Sequence, residues 1–310
     1  MNLYKKTIGI IGTGQHVNKK IFPILFNSNF FQVKGILRKK KIGFRNIRNF
    51  KEKDFFNQNF DFIYIACPNK FHEKYIIKSL MARSHVICEK PFLLRKKNIN
   101  KIIKLSMDKK KLIFEVFMYV YHPVFKYVEK LIKSRKYGKI RYVIANFRYP
   151  AIEKNNNRYK KNEGDGFFYD AASYLISLEN YLFKTKKIKI NKSYSQKIKN
   201  TVDLRGNIYI NSSEGNRFYF WGEGQKYSNN LEIFFDKASI FVDRFFSKTN
   251  VEKIKVKIYD QNVKEKTMIV SNHFEKMFSI IQKKYNKKSF QKLHVNKIKK
   301  QLDLLVKYDT

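Results

Sequence analysis

A short apolar segment that runs directly into two closely spaced glycines limits the folds open to this chain. Thr7 to Ile11 has the pattern of a buried strand, Gly12-Thr13-Gly14 follows without a gap, and Gln15 to Phe26 has helical spacing. The first glycine permits a tight turn, and the second lets an anionic ligand approach the backbone where the helix begins. The third position of this phosphate-binding fingerprint is Val17, not Gly or Ala. The pattern predicts a dinucleotide-binding βα unit, with an ordinary strand–turn–helix connection as the alternative.

Strand and helix segments continue to alternate through the first 120 residues. Further strands are predicted at 32–37, 61–66 and 85–88, with a helix at 72–81 between the last two. Alternation of this kind produces a doubly wound, mostly parallel sheet. We therefore expect residues 1–120 to form a Rossmann-like α/β domain that binds NAD or NADP.

The pattern changes in the second part of the chain, where strands follow one another closely across Gly, Asn and Ser turns. Helices are expected near 124–133 and 167–183, and two more near 273–285 and 296–307. The predicted strands are 139–149, 204–212, 217–221, 231–235, 239–242 and 252–259. Residues 121–310 should therefore form an α+β domain with a large, mostly antiparallel sheet. We expect this domain to bind the substrate and to mediate oligomerisation. Because an open sheet commonly packs against a partner, we expect a homodimer or homotetramer.

The composition favours a folded protein and offers an ordinary reason for the charge. The 310 residues are 43% hydrophobic, which supplies two cores despite a net charge of +41. Lys, Asn, Ile, Phe and Tyr have AT-rich codons and are abundant, so codon bias is favoured over a surface selected to bind a polyanion. The basic runs lack the interleaved aromatic residues and the motifs of a nucleic-acid site. With no span-length apolar run, no signal peptide and two cysteines, a cytoplasmic protein is expected.

Three further segments turn the fold prediction into a family resemblance, which also includes 118–123. They are 66–72, 85–91 and 164–174. Together with the glycine turn, they resemble the ordered signature of the glucose-fructose oxidoreductase, inositol dehydrogenase and rhizopine-catabolism family, usually called Gfo/Idh/MocA. The resemblance covers nearly the whole chain. It implies hydride transfer between a nicotinamide and a sugar carbonyl or hydroxyl.

The resemblance assigns the chemistry to two side chains and leaves a third open. Lys90, in Glu89-Lys90-Pro91, matches the family lysine beside the nicotinamide, and is expected to polarise the carbonyl. Tyr174 ends the element that begins at Asp170, and is expected to deliver the proton. The i, i+4 spacing puts Asp170 and Tyr174 on one helix face. We expect Lys90 and Tyr174 to be neighbours, while Asp170 serves in catalysis, in substrate binding or as a helix-capping group.

The other candidate residues would hold the cofactor and the substrate. The stretch 32–41 lacks the carboxylate that would bind a ribose 2′-hydroxyl and instead contains Arg38 and Lys39, which favours NADP over NAD. The predicted cofactor-binding residues are Gly12, Thr13, Gly14, Gln15, His16, Arg38, Lys39, Cys67, Pro68, Asn69, His72, Glu89 and Lys90. The predicted substrate-binding residues are Lys90, Tyr119, Arg158, Asp170 and Tyr174. The histidines and cysteines show no metal-ligand spacing, so no metal site is predicted.

The substrate is inferred only from the branch of the family that the later segments resemble. Stretches 202–206, 227–231 and 243–246 are similar to nucleotide-sugar ketoreductases and glucose-fructose oxidoreductase. They favour a nucleotide-activated ketosugar, used in surface-polysaccharide synthesis. A dehydrogenase of free sugars or cyclitols is one alternative. A non-catalytic NAD(P)-binding regulator or a polyanion-binding protein is another, against which the presence of Lys90 and Tyr174 argues.

Overall fold

The computed structural model describes residues 5–38, 47–161, 166–183, 189–198, 202–248, 253–268 and 271–308. The chain divides into two compact units. The first comprises Met1–Phe117 and Met277–Leu302, and the second comprises Met118–Lys276 and Asp303–Thr310. The first division lies three residues before the predicted boundary at residue 120.

The first unit is built on a parallel sheet. Among the described residues, its strands are β1 (Lys6–Ile11), β2 (Phe31–Leu37), β3 (Arg48–Phe50), β4 (Phe62–Ile65), β5 (His85–Glu89) and β6 (Ile113–Val116). They are arranged in the order β3-β2-β1-β4-β5-β6, and every adjacent pair is parallel. The central strands are almost continuously apolar and buried, as expected for a sheet that is covered on both faces. The chain leaves β1 towards β2 on one side and later returns to β4 on the other, so the strand order reverses beside β1.

The helices of the first unit lie between successive strands. They are α1 (Phe22–Phe26), α2 (Glu52–Phe55), α3 (His72–Met81) and α4 (Ile99–Asp108). A π-helical turn at Val17–Ile21 precedes α1, so the predicted helix over 15–26 forms with a widened first half. Val17 and Ile21 are buried in that turn, which anchors the start of the helix on the sheet.

The two terminal helices follow the second unit in sequence but pack mainly in the first. They are α7 (His273–Lys284) and α8 (Lys288–Tyr308), and most of both belongs to the first unit. Aromatic contacts explain the assignment. Ring centroids lie 5.6 Å apart for Phe31 and Phe278, 5.1 Å for Phe62 and Tyr285, and 4.3 Å for Phe114 and His294. The apolar faces of these helices therefore bury the parallel sheet, although they follow the second unit in sequence.

The second unit contains a large mixed sheet in which antiparallel pairs dominate. Its described strands are β7 (Ile140–Arg148), β8 (Lys189–Ile198), β9 (Val202–Asn211), β10 (Asn216–Gly222), β11 (Ser228–Phe235), β12 (Ser239–Asp243), β13 (Ile254–Tyr259) and β14 (Val263–Met268). Their order is β14-β13-β12-β11-β7-β10-β9-β8, with β7 and β10 parallel and the other pairs antiparallel. Two helices accompany the sheet, α5 (Pro123–Ser134) and α6 (Ser173–Tyr181), and a π-helical turn at Phe168–Ala172 precedes α6. Val143, Ala145 and Phe147 are buried on one face of β7, which gives the sheet an apolar side.

Several elements form without a local signal that predicted them. The structure adds β3, β6, β8, β14, α2 and α4 to the predicted set, and α8 begins eight residues before its predicted start. Strand β14 has the sequence VKEKTM and is exposed along most of its length, so its pairing with β13 and not an apolar pattern makes it a strand. None of the described helices has both the length and the apolar character needed to cross a membrane.

Candidate functional site

The glycine turn lies where the strand order of the parallel sheet reverses. Ligands of open α/β sheets bind outside the carboxyl ends of the strands at this kind of position. Gly12 has φ of +86°, and a Cβ placed on it would lie 2.6 Å from the Ala66 carbonyl oxygen. A Cβ on Gly14 would meet no heavy atom within 4 Å. Gly12 is therefore required by the fold itself, whereas Gly14 borders open space.

The residue between the two glycines supplies a polar atom that the fold leaves unused. Thr13 is buried, and its Oγ1 has no hydrogen-bond partner among the described residues. A buried hydroxyl of this kind costs free energy unless something binds it. Gln15 and His16 follow as exposed residues at the start of the helical segment, and the amide of Asn18 donates to the Gly14 carbonyl. An open backbone and an orphaned hydroxyl at this place fit the pyrophosphate of a dinucleotide.

His16 connects this turn to the end of β5. Its Nε2 lies 2.9 Å from Glu89 Oε1, and Tyr64 donates to the same oxygen at 2.5 Å. Burial disfavours the charged form of both side chains. The Glu89 carboxylate nevertheless raises the pKa of His16, and the charge and hydrogen bond of His16 lower the pKa of Glu89. The ion pair therefore ties the start of the first helical segment to the residue immediately before Lys90.

Arg38 is the described one of the two residues predicted to bind a cofactor 2′-phosphate. It follows β2, whose last residue Leu37 accepts a hydrogen bond from the amide of Gly12. Its Nη1 is buried and has no hydrogen-bond partner in the part of the chain that the structure describes. A guanidinium nitrogen left in this state fits an additional phosphate. Lys39, predicted for the same role, lies outside the described residues.

Lys90 is half-buried and leaves the sheet directly after β5. The chain beside it is held by His72 at the start of α3, whose Nδ1 lies 2.8 Å from the Pro91 carbonyl oxygen and whose Nε2 lies 3.0 Å from that of Cys67. Both ring nitrogens of His72 thus face backbone oxygens. Burial lowers its pKa, although these two contacts oppose the shift. His72 therefore frames the loops after β4 and β5, where the sequence predicted a residue that contacts the cofactor.

The loop after β4 supplies the other predicted cofactor-binding residues. Cys67 and Pro68 are half-buried, and Asn69 begins a short 3₁₀ helix, Asn69–Phe71. Burial raises the pKa of Cys67 to about 12, so it is a neutral thiol at physiological pH. Within the described ranges, no group of three or more His, Cys, Asp and Glu side chains is arranged to hold a metal ion.

A buried carboxyl that the sequence did not single out lies next to the Lys90 turn. Glu115 is 2% exposed on β6, and its Oε1 accepts a hydrogen bond of 2.9 Å from the amide of Phe92. Its Oε2 has no partner among the residues described here. Burial raises the pKa of Glu115 to about 8, although the amide hydrogen bond and the charge of Lys90 oppose the shift. The sequence signal was a single acidic residue inside the apolar run that forms β6.

In the second unit, Asp170 is held by an ion pair and a tyrosine. Arg158 donates through Nε at 2.8 Å to Oδ2 and through Nη2 at 3.2 Å to Oδ1 of Asp170. Tyr149, which the sequence did not indicate, donates to Oδ2 at 2.7 Å. The Asp170 carboxylate raises the pKa of Arg158, which stays charged, and burial raises the pKa of Tyr149. Since both carboxylate oxygens are occupied, the geometry favours a binding and positioning role for Asp170 over proton transfer.

Tyr174 lies one turn further along, inside an aromatic group. Its ring centroid is 4.9 Å from that of Phe147 and 6.0 Å from that of Tyr119, and its hydroxyl lies 3.5 Å from Met118 Sδ. It also interacts electrostatically with Arg158. Tyr119 is buried, and its hydroxyl lies 2.6 Å from Ser177 Oγ, so a buried polar contact stabilises the position of α6. The structure therefore groups four predicted substrate-side residues, Tyr119, Arg158, Asp170 and Tyr174, in one unit.

Two family models together match most of the chain. The model GFO_IDH_MocA, described as the oxidoreductase family, NAD-binding Rossmann fold, matches residues 6–117. The GFO/IDH/MocA C-terminal domain matches residues 125–241. The matches confirm the family resemblance that the sequence motifs indicated.

Two characterised relatives illustrate the similarity at the level of sequence. The dTDP-3,4-didehydro-2,6-dideoxy-alpha-D-glucose 3-reductase of Saccharopolyspora spinosa is 25% identical over 188 residues, which cover 60% of this chain and 57% of that protein. The scyllo-inositol 2-dehydrogenase (NADP(+)) of Bacillus subtilis is 27% identical over 159 residues, 49% of this chain and 47% of that protein. The matched region thus spans about half the length of these relatives.

Solved structures match over nearly the whole chain. A 3-ketoreductase from Actinomadura kijaniata, in complex with NADP and TDP-benzene, has a TM-score of 0.92 at 18% identity, covering 98% of this chain and 96% of that one. An aldose-aldose oxidoreductase from Caulobacter crescentus has a TM-score of 0.87 at 14% identity, covering 99% and 97%. These likenesses confirm the predicted combination of a Rossmann-like sheet and a second, mostly antiparallel one.

Proposed function

Because the chain belongs to the Gfo/Idh/MocA oxidoreductase family, we propose that it transfers hydride between NADP and a nucleotide-activated ketosugar. One observation carries the proposal. The His16–Glu89 contact of 2.9 Å joins the helical segment after the glycine turn to the last residue of β5, which directly precedes Lys90. The residue with the family's catalytic position therefore sits beside a turn whose open backbone suits a dinucleotide.

The residues of the first unit are suited to hold the cofactor. Gly14 offers backbone that a phosphate can approach, Thr13 offers an unused hydroxyl, and Arg38 offers a guanidinium nitrogen for a 2′-phosphate. These features support NADP over NAD. When bound, NADPH would supply the hydride for reduction of a carbonyl.

The proposed chemistry divides between an ammonium and a phenol. Lys90 polarises the substrate carbonyl, because a positive charge stabilises the oxygen as it gains negative charge. Tyr174 donates the proton that converts this oxygen into a hydroxyl. Asp170 holds Arg158 in place for the substrate, with Tyr149 as a second support. Tyr119 orients this group through Ser177 and the neighbouring aromatic rings.

The choice of substrate rests on the relatives. The reductase of S. spinosa is named for a dTDP-linked ketosugar, and the structure from A. kijaniata contains a TDP group. These relatives support a nucleotide-activated ketosugar for this chain. A place in surface-polysaccharide synthesis stays a prediction from the sequence. The inositol dehydrogenase of B. subtilis makes a cyclitol the first alternative for the assay.

The proposal includes an assembly and a location. Tyr142, Phe218 and Phe220 are between 36% and 39% exposed on strands of the second unit's sheet. Burying such aromatic side chains against a second copy is favourable, which supports a homodimer or homotetramer. Cys67 and Cys88 are both free thiols, which suits a reducing cytoplasm.

The test is a screen of ketosugar nucleotides for NADPH oxidation, with Lys90→Met as the diagnostic variant. We expect Lys90→Met to bind NADPH within about threefold of wild type, measured by nicotinamide fluorescence, and to lose at least about a thousandfold in kcat. Lys104→Met, which removes an exposed lysine of α4, is the matched control and should keep full turnover. Turnover that survives in Lys90→Met would exclude this lysine from the chemistry.

A further inference from the structure

The peptide group that joins Pro91 to Phe92 is held at both of its polar ends by buried side chains. His72 Nδ1 lies 2.8 Å from the carbonyl oxygen of Pro91, and the amide of Phe92 donates to Glu115 Oε1 at 2.9 Å. His72 is 1% exposed and Glu115 is 2% exposed. This peptide is the second one after Lys90.

The two holding side chains are themselves fixed to neighbouring parts of the sheet. His72 begins α3, and its other nitrogen lies 3.0 Å from the Cys67 carbonyl oxygen, in the loop after β4. Glu115 stands on β6 directly opposite Cys88 of β5. The turn that follows Lys90 thus contacts residues beside the neighbouring strand on each side, and rotation of its peptide plane would break the buried hydrogen bond from the Phe92 amide to Glu115.

If Glu115 only filled the core, its buried carboxyl would lower the stability of the folded protein. One of its oxygens has no partner in the described structure, and an ionised or neutral carboxyl buried in this way is destabilising relative to an apolar side chain of similar volume. Its one hydrogen bond goes to the Phe92 amide. Acceptance of the hydrogen bond from that amide is therefore the role that accounts for a carboxyl at this position.

The backbone between Phe92 and Lys90 connects this hydrogen bond to the position of the lysine. The ring of Pro91 fixes its φ angle, and the two contacts at the following peptide fix its ψ angle. The backbone position from which the Lys90 side chain starts is then determined by the held peptide. We infer that Glu115 and His72 are positioning residues for Lys90, acting as a clamp on the Pro91–Phe92 peptide. The inference rests on the proposed function only in that Lys90 is taken as the group that acts on the substrate.

The test compares two substitutions of Glu115 that differ in one property. Glu115→Gln keeps an acceptor for the Phe92 amide, whereas Glu115→Met has similar volume and no acceptor. We expect Glu115→Met to lower kcat about 10- to 100-fold while the NADPH dissociation constant stays within about threefold of wild type. Glu115→Gln should keep kcat within about threefold. Amide hydrogen exchange of the peptide containing Phe92 should accelerate in Glu115→Met alone, a readout that needs no substrate.

A control variant and a double-mutant cycle distinguish a positioning role from a general loss of stability. Ser84→Ala removes a buried bond to the Phe60 carbonyl oxygen, of 2.6 Å, beside the opposite end of β5. It should lower the melting temperature and leave kcat unchanged. His72→Leu should reduce kcat as Glu115→Met does. The double variant should lose less than the two single losses multiplied together, because the two side chains hold one peptide.

The outcomes distinguish this inference from the proposed function. If Lys90→Met abolishes turnover but Glu115→Met keeps wild-type kcat, the clamp is wrong and the function stands. If Glu115→Gln loses as much kcat as Glu115→Met, an acceptor at this position is not sufficient, which also overturns the clamp. If Lys90→Met keeps turnover, the proposed function of Lys90 fails, and unchanged exchange at Phe92 in Glu115→Met would then refute the clamp independently.

Discussion

Adding one methyl group at Gly14 should separate cofactor binding from folding. A Cβ at this position meets no heavy atom within 4 Å, and its φ is not in the left-handed region. Gly14→Ala should therefore cost no packing energy, and the lost freedom of the unfolded chain should stabilise the protein by about 0.4–1 kcal/mol. If a pyrophosphate approaches the backbone here, the same methyl occupies its space. We expect the NADPH dissociation constant to rise at least about tenfold, which is about 1.4 kcal/mol.

Gly12 provides the contrast, because the fold itself needs that glycine. A Cβ there would lie 2.6 Å from the Ala66 carbonyl oxygen and 2.9 Å from the Cys67 nitrogen, both backbone atoms, and φ is +86°. The left-handed conformation and the displaced backbone together should cost about 2–5 kcal/mol. Gly12→Ala is thus expected to lower the melting temperature by several degrees and to weaken NADPH binding as a consequence.

Thermal unfolding followed by circular dichroism and titration of nicotinamide fluorescence give the two readings for each variant. The expected pattern is loss of binding with a melting temperature at or above wild type for Gly14→Ala, and loss of both for Gly12→Ala. Wild-type NADPH affinity in a folded Gly14→Ala protein would refute the assignment of this turn as the phosphate site. A large loss of stability in Gly14→Ala would show that the space beside it is filled.

Three further predictions concern other parts of the molecule. Arg158→Met leaves the Asp170 carboxylate without its ion pair, so kcat should fall about tenfold or more with NADPH affinity unchanged in fluorescence titration. Because burial raises the pKa of Glu115 to about 8, above its unfolded value, its contribution to stability is complete below about pH 4.5 and disappears as the pH rises through 8. Glu115→Gln should therefore gain in melting temperature relative to wild type across that interval, and a constant difference would contradict the shift. Replacing Phe218 and Phe220 with Ser should lower the mass measured by light scattering if the exposed face of the sheet joins subunits; an unchanged mass would exclude that face.

In the second unit, residue spacing predicted only part of the candidate site. The i, i+4 spacing of Asp170 and Tyr174 predicted a shared helix face, and both interact with Arg158. The spacing could not show that Arg158 and Tyr149 occupy both oxygens of Asp170, an arrangement that favours a binding role for this carboxylate over proton transfer. These partners come from different segments of the chain, and no local pattern specifies which carboxylate a given arginine will meet.

The same limit applied to the ends of the chain. The sequence predicted helices near 273–285 and 296–307, but it could not identify the surface against which they pack. The structure places Phe278 and Tyr285 against Phe31 and Phe62 of the parallel sheet, more than 200 positions earlier. The order of segments in the sequence therefore does not show which sheet a terminal helix covers.

The amino-acid sequence alone determined three features of this protein. They are the strand, glycine turn and helix that follow one another from Thr7 to Phe26, the alternation of elements in the first unit, and the position of Lys90 after a strand. Each depends on residues within a few positions, where backbone freedom and apolar period act directly. Only the tertiary structure decided which buried polar groups meet. Glu115 and the Phe92 amide are neighbours because adjacent parallel strands end together, and a hydrogen bond between segments 23 residues apart leaves no periodic trace in the sequence.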